Sequence, residues 1–352
     1  MSIQVSIRKR VSPHFCLETG FTSDEACLGI LGASGCGKSM TLKCIAGIET
    51  PDTGHISVNG RVLFDSGRKI NLKPQARRVG YLFQNYALFP RMTVLENITA
   101  ALSLSKAEKL QKARPWIARF GLMDLEDRYP RQLSGGQQQR TALARMLIRD
   151  PECILLDEPF SALDTHLREQ MQVHLLQLLE SRHDAIMVTH SRDEAYRLCD
   201  ELLVMDRGKV LTQGATKALF EHPGSVAVAR ITGCKNISPL RRTGPQELYA
   251  LDWGLSLRAS VPIEDSITHV GIRAHDFRPL WKAPEPGAYN QVRLAMTRRT
   301  EEPFEQVVLF TNRDASNPAE HGEIWWKYSK YQCKEIPERL FIPPEALLLL
   351  RS

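Results

Sequence analysis

The sequence predicts an α/β fold: a largely parallel sheet, an antiparallel β subdomain beside it, an inserted helical subdomain, and a separate all-β domain toward the C-terminus. Three observations carry this. Short apolar runs at Cys27–Leu31, Val79–Phe83, Cys153–Leu156, Ala185–Val188 and Glu201–Met205 are separated by helix-length segments, the pattern of parallel strands joined by helical crossovers. From Thr93 to Asp150 the apolar spacing turns helical. After Gly233 that periodicity fades, Pro, Trp and Arg become frequent, and strand-like pieces appear at Gly271–Arg273, Gln291–Met296 and Gln306–Phe310.

Four of the five apolar runs end at a polar candidate residue, and open α/β sheets bind ligands at the carboxyl ends of their strands. His55–Ser66 alternates around Asn59-Gly60 and reads as a hairpin of the antiparallel subdomain. The helical insert spans about residues 91–150, with Asp124 to Arg131 as an irregular connector and Ser134 placed to cap a helix running through Arg149. A domain boundary near residues 233–238 divides the 352 residues into 1–235, α/β, and 236–352, β-rich.

Composition narrows the class. A hydrophobic share of 43% and a charged share of 24% exclude disordered and fibrous chains. The balance of 46 Lys+Arg against 40 Asp+Glu, a net +6, is mild and forms no long basic run, so nucleic acid is not an expected partner. Eight cysteines without CxxC pairs read as reduced thiols, neither a disulfide frame nor a zinc site. The basic N-terminus is not followed by a signal-length apolar stretch, and no segment approaches 18 uninterrupted apolar residues. A membrane role would have to come through a partner.

Gly32-Ala33-Ser34-Gly35-Cys36-Gly37-Lys38-Ser39 satisfies G-x-x-x-x-G-K-[ST] between a strand and a helix that continues through Met40. Its glycines let backbone N–H groups turn inward around phosphates, the helix N-terminus adds its positive dipole, Lys38 neutralises β- and γ-phosphates, and Ser39 ligates Mg²⁺. ATP and Mg²⁺ are thus the expected ligands, and Cys36 reads as a space-filling loop residue. Cys153–Leu156 runs into Asp157 and Glu158, an Asp suited to Mg²⁺ and a Glu suited to polarise an attacking water.

Leu133-Ser134-Gly135-Gly136-Gln137 resembles the signature of ABC ATPases, and its residues open a helix N-terminus, a second phosphate site without base or metal. Gln84 at the end of VGYLF, Ser161-Ala162-Leu163-Asp164, and His190 after AIMVT fall at the other stations of that family. The resemblance covers about residues 1–235 and implies a P-loop NTPase (RecA-like) core. It also implies a head-to-tail homodimer in which Ser134, Gly135, Gly136 and Gln137 of one copy close over ATP held by the other. Under it Gln84 senses Mg²⁺ and the attacking water, Glu158 is the general base, Asp164 communicates across the dimer, and His190 contacts the γ-phosphate. The adenine-stacking ring of the family has only His14 and Phe15 as candidates upstream of the loop, and that contact stays open.

Asn85 to Ile98 resembles the segment by which importer-type ABC ATPases grip a coupling helix of a permease, with Tyr86, Leu88 and Phe89 expected to be exposed and to form the docking cleft. Thr232 to Ile237 and Gly271 to Asp276 resemble junctions of importer ATPases with an OB-like, often regulatory, C-terminal domain. The short N-terminus and NGRVLFDSGRKINLKPQARRVGYLFQ are most similar to the molybdate subgroup, then to sulfate importers. The expectation is therefore a peripheral subunit on the cytoplasmic face of the cell membrane, serving a permease and, indirectly, an extracytoplasmic solute-binding protein. Its solute would be molybdate, with sulfate/thiosulfate, polyamine, sugar or iron as alternatives. A soluble non-transport ABC ATPase ranks lower, since the chain has one cassette and no coiled-coil insert, and intact Lys38, Asp157, Glu158 and His190 argue against a non-catalytic binder.

Overall fold

The computed structural model describes residues 2–161, 163, 165–180, 184–281, 289–316, 321–331 and 335–352. The chain falls into two compact units, Met1–Lys217 and Ala218–Ser352.

The first unit opens with β1 (Ile3–Ser12) and β2 (Phe15–Ser23), a hairpin in which Ile3, Val5 and Ile7 are buried and the residues between them exposed. Strand β3 (Cys27–Gly32) leads into helix α1 (Lys38–Ala46). Then come β4 (Thr53–Val58), β5 (Arg61–Asp65), β6 (Ile70–Asn71) and β7 (Val79–Leu82). Asn59 and Gly60, at φ 48° and 75°, make the turn of the β4–β5 hairpin. The helical insert holds α2 (Val94–Thr99), α3 (Lys106–Arg119) and α4 (Gly135–Leu147). After it follow β8 (Cys153–Asp157), α5 (Thr165–Glu180), β9 (Ala185–Thr189), α6 (Arg192–Leu198), β10 (Glu201–Asp206) and β11 (Lys209–Ala215).

All eleven strands join one sheet in the order β6-β5-β4-β1-β2-β11-β10-β3-β9-β8-β7. From β10 to β7 the neighbours are parallel, so the carboxyl ends of β3, β7, β8 and β9 share one edge. Strands β3, β8 and β9 are buried along their whole length, as expected of a parallel sheet covered on both faces. The period-2 pleat sorts their side chains. Ile154, Leu156, Ala185 and Met187 pack with the helical insert, whereas Cys153, Leu155, Ile186 and Val188 pack with α1 and the antiparallel strands.

The insert is held by its caps. Thr93 with Glu96, Ser105 with Glu108, and Ser134 with Gln137 each form a capping box at the start of α2, α3 and α4. The irregular connector satisfies α2 as well, because Arg128 and Glu126 carbonyls accept the Val94 and Leu95 N–H groups. Helix α4 ends at Leu147, two residues before the expected Arg149. The left-handed Asp150, φ 51°, and the following Pro151 stop it there.

Helix α7 (Thr216–Glu221) carries the division between units, and α8 (Val226–Ile231) follows it. Ala229 on α8 packs with Cys234, Leu348 and Leu350, so this helix, placed before the 235/236 boundary by the sequence, belongs to the second unit. The unit continues with β12 (Asn236–Arg242), β13 (Glu247–Ala250), β14 (Leu255–Arg258), β15 (His269–Ile272), β16 (Arg278–Leu280), β17 (Gln291–Glu301), β18 (Glu305–Asn312), β19 (Ile324–Ser329), β20 (Arg339–Phe341) and β21 (Leu348–Leu350). They form two five-stranded sheets, β14-β13-β12-β15-β21 and β16-β20-β17-β18-β19. The Asn236 side chain links the sheets, its Nδ2 donating to the Trp325 carbonyl at 2.8 Å and its Oδ1 accepting from the Trp325 N–H at 2.7 Å. Trp326, Phe277 and Phe310 are fully buried in the shared core.

Candidate functional site

The loop after β3 is shaped by its glycines. Gly35 and Gly37 lie at φ 79° and 109°, in the left-handed region that favours glycine. At Gly32 a Cβ would stand 2.3 Å from the Met205 carbonyl oxygen and 2.7 Å from the Cys36 sulfur. Cys36 is itself buried and its thiol is raised by that burial, which suits the filler role and not a nucleophile. Ala33, Ser34 and Gly35 are exposed, and Ser39 and Met40 half-buried. Helix α1 starts with no side-chain cap and no acidic residue in its first turn, so its N–H groups and dipole face the loop's interior unopposed. Lys38, 4% exposed, folds back onto this loop, donating to the carbonyls of Gly32 and Ala33 at 2.9 and 3.0 Å.

At the end of β8, Asp157 accepts from the Ser39 hydroxyl at 2.6 Å and from the Tyr81 hydroxyl at 2.8 Å, one on each oxygen. Burial and the neighbouring carboxylate push the Tyr81 phenol well up, which keeps it a proton donor to Asp157. Next to it, Glu158 adopts φ 47°, a strained conformation for a non-glycine residue. Its N–H is tied to the Val188 carbonyl on β9 at 3.0 Å. One Glu158 oxygen receives both Gln84 Nε2 at 3.1 Å and His190 Nδ1 at 3.3 Å. Three strand ends thus place their polar residues on a single carboxylate oxygen, beside the Ser39–Asp157 pair.

The residues flanking His190 are tied to α6. The Thr189 hydroxyl donates to buried Glu194 at 2.5 Å and accepts from the Ser191 N–H at 2.9 Å. Burial raises the Glu194 carboxyl above its ordinary value. Neither Tyr81 nor Glu194 was singled out in the sequence. The first is visible only as one polar position within VGYLF, and the second as an ordinary acid in a helix first turn.

Beside the loop lies a cavity of about 280 Å³ lined by His14, Phe15, Cys16, Ala33, Ser34, Gly35, Cys36, Asp206 and Arg207. Both ring candidates therefore stand at the phosphate loop, His14 exposed and Phe15 half-buried against the core. Asp206 and Arg207 reach the same place from the β10–β11 turn, whose Gly208 N–H donates to the Cys36 carbonyl at 2.9 Å.

The signature residues lie apart. The Ser134 hydroxyl accepts from the Gln137 N–H at 3.3 Å and the Ser134 N–H donates to Gln137 Oε1 at 2.8 Å, while Gly135 and Gly136 form the first turn of α4. Among the described residues no hydrogen bond joins them to the loop after β3. Asp164 and Ala162 fall outside the described residues, and Ser161 is exposed. No three His, Cys, Asp or Glu side chains gather as a metal-holding group among the described residues. No described helix is long and apolar enough to cross a membrane.

The profile of the family described as "ABC transporter" matches residues 21–161, from β2 through the acidic pair. A sulfate/thiosulfate import ATP-binding protein of Synechocystis is 36% identical over 269 residues, 74% of this chain and 71% of the relative. The chain belongs to the ABC transporter family, among its ATP-binding proteins. A Fe(3+) ions import ATP-binding protein of Haemophilus influenzae is 44% identical over 216 residues, 60% of this chain and 61% of the relative. A spermidine/putrescine import ATP-binding protein of Nitratidesulfovibrio vulgaris is 43% identical over 214 residues, 60% of this chain and 56% of the relative. The matches thus span about three-fifths of the length of these last two relatives. Among solved structures, the dimeric post-hydrolysis state of an ATP-binding cassette bound to ADP and Pi is similar, at TM-score 0.53 and 26% identity, covering 61% of this chain and 98% of that one.

Proposed function

We propose that this chain is the ATP-hydrolysing subunit of an importer, working as a head-to-tail homodimer on the cytoplasmic face of a membrane permease. The observation that carries the reading is the meeting of Gln84 and His190 on one oxygen of Glu158, next to a phosphate loop whose lysine is already turned inward. Glu158 then acts as general base toward a water that Gln84 orients, and His190 takes the γ-phosphate. Gly32 to Met40 hold the phosphates, and adenine lies in the cavity lined by His14 and Phe15.

The Ser39 hydroxyl, the Asp157 carboxylate and the Gln84 amide oxygen are hard donors of the kind Mg²⁺ prefers, and the 2.6 Å Ser39–Asp157 contact brings two of them together. Bound there, Mg²⁺ would supply charge neutralisation across the β- and γ-phosphates. Ser134, Gly135, Gly136 and Gln137, remote from this chain's own loop, complete the site of a second copy, with Asp164 signalling across the interface. The similar cassette is a dimer, which supports the pairing of two copies.

The segment from Asn85 to Ile98 is the proposed permease contact: Tyr86 is buried and Leu88 packs against the core, contrary to the expected exposure, while Phe89 and Met92 are exposed, and a groove of about 740 Å³ runs from Arg91 and Met92 to Leu110. Residues 236–352 form the proposed OB-like regulatory domain. For the solute we propose an oxyanion, molybdate first: the short N-terminus and the stretch from Asn59 to Gln84 resemble the molybdate subgroup, and the sulfate/thiosulfate name of one relative supports an oxyanion. The Fe(3+) name of a 44% identical relative favours a second reading.

Glu158→Gln tests the chemistry. It should leave ATP binding unchanged, lower turnover by about a hundredfold or more, and accumulate an ATP-bound dimer; wild-type turnover would remove Glu158 from its role. Uptake by a deletion strain of molybdate, tungstate, sulfate, thiosulfate, Fe(3+) and spermidine decides the solute, loss confined to Fe(3+) or to spermidine overturning the oxyanion reading.

A further inference from the structure

Helix α4 touches both loops that carry the catalytic pair. At its C-terminal end the Arg145 guanidinium donates to the Tyr86 carbonyl at 2.7 Å and to the Ala87 carbonyl at 2.8 Å, and lies 5.4 Å over the Phe89 ring. Tyr86 and Ala87 both stand in the left-handed region, at φ 59° and 44°, a costly arrangement for two successive non-glycine residues. The turn begins two residues after Gln84, and burial disfavours the charge of Arg145, so the two carbonyls are what its guanidinium has to bind. One turn and a half closer to the signature, buried Gln139 donates from Nε2 to the Pro159 carbonyl at 2.9 Å, immediately after Glu158. The same side chain leaves its Oε1 buried without a partner, a standing cost that an apolar residue of like shape would not carry.

We propose that α4 acts as a rigid gauge between the two loops, with Arg145 and Gln139 as positioning residues that set the distance from Gln84 to Glu158. The helix that opens with Ser134, and would close over a second copy's nucleotide, is then the same body that aligns this copy's own base. Seating of the signature on one site adjusts the Gln84–Glu158 contact of the other. The inference rests on the ATPase reading above.

The test is steady-state hydrolysis by the full chain with a melting curve for each variant. Gln139→Met keeps the side-chain volume and removes the unpaired acceptor, so its melting temperature holds or rises while kcat falls about tenfold and KM for ATP stays within about twofold. Arg145→Lys retains charge and loses the two-carbonyl grip, with a comparable fall in kcat. Arg145→Ala falls further and is partly restored by added guanidinium ion, which leaves Gln139→Met unchanged. Wild-type kcat in folded Gln139→Met and Arg145→Lys, or a loss residing in KM, overturns the proposal even if Arg145→Ala fails to fold. Absence of hydrolysis by the wild-type chain would instead overturn the ATPase reading on which it rests.

Discussion

Two helix N-termini in the first unit carry the proposed phosphate sites, and they are built differently. Helix α1 begins at Gly37 without a side-chain cap, whereas α4 begins at Ser134 with a complete capping box. Both lack an acidic residue in the first turn, as do α5, α7 and α8, whereas α2, α3 and α6 carry Glu96, Glu108, and Asp193 with Glu194 there. An acid at that position offsets the helix dipole, so its omission leaves both ends attractive to anions. The difference lies in self-sufficiency. The α1 end has its own lysine, hydroxyl and carboxylates nearby, while the α4 end has a cap that keeps it formed in their absence. In the proposed dimer one end is a site, and the other is a lid for the second copy's.

The largest test of that contrast is Lys38→Ala. It should weaken ATP binding by the isolated monomer about a hundredfold or more in a direct titration, since it removes a cation bonded into the loop. Gly135→Asp, which puts an acid into the first turn of α4, should leave monomer binding within about twofold and reduce dimer hydrolysis about a hundredfold. Weakened monomer binding would mean that the two ends are not separate half-sites. Ser134→Ala is milder in stability, about 1 kcal/mol for the lost cap in a denaturation curve, and should lower hydrolysis with it.

The smallest effect concerns pH. Burial holds Glu194 protonated to higher pH in the folded chain than in the unfolded one, so its contribution favours folding at low pH and is lost as pH rises through the raised value. Arg168, His190 and Glu158 are the charged groups that act on it. Glu194→Gln should therefore flatten the decline of melting temperature on the alkaline side of the ordinary carboxylate range. An unchanged slope would place the titration elsewhere.

How much of this could be seen in the sequence depended on whether a feature is local. The buried strands β3, β8 and β9 are uninterrupted apolar runs, and Gln84, Asp157, Glu158 and His190 follow such runs directly, so the site edge could be predicted as a line of strand ends. The β1–β2 hairpin was not predicted. Its alternation of Ile3, Val5 and Ile7 is diluted by the charged run of exposed Arg8, half-buried Lys9 and exposed Arg10, and Pro13-His14 is not a tight-turn signal of the Asn-Gly kind. The Arg145 grip on Tyr86 and Ala87 spans 59 and 58 positions and leaves no periodic trace, because an arginine in a helix reads as solvent-facing until its neighbours are known. The start of the second unit was displaced for a related reason: α8 is too short to announce that Ala229 packs on Leu348 and Leu350.

The inward turn of Lys38 ties the loop to itself. With its ammonium bonded to the Gly32 and Ala33 carbonyls, the loop carries its own internal strut, so its curvature and the placement of its cation are one structural property: a substitution that shifts either carbonyl shifts the ammonium with it.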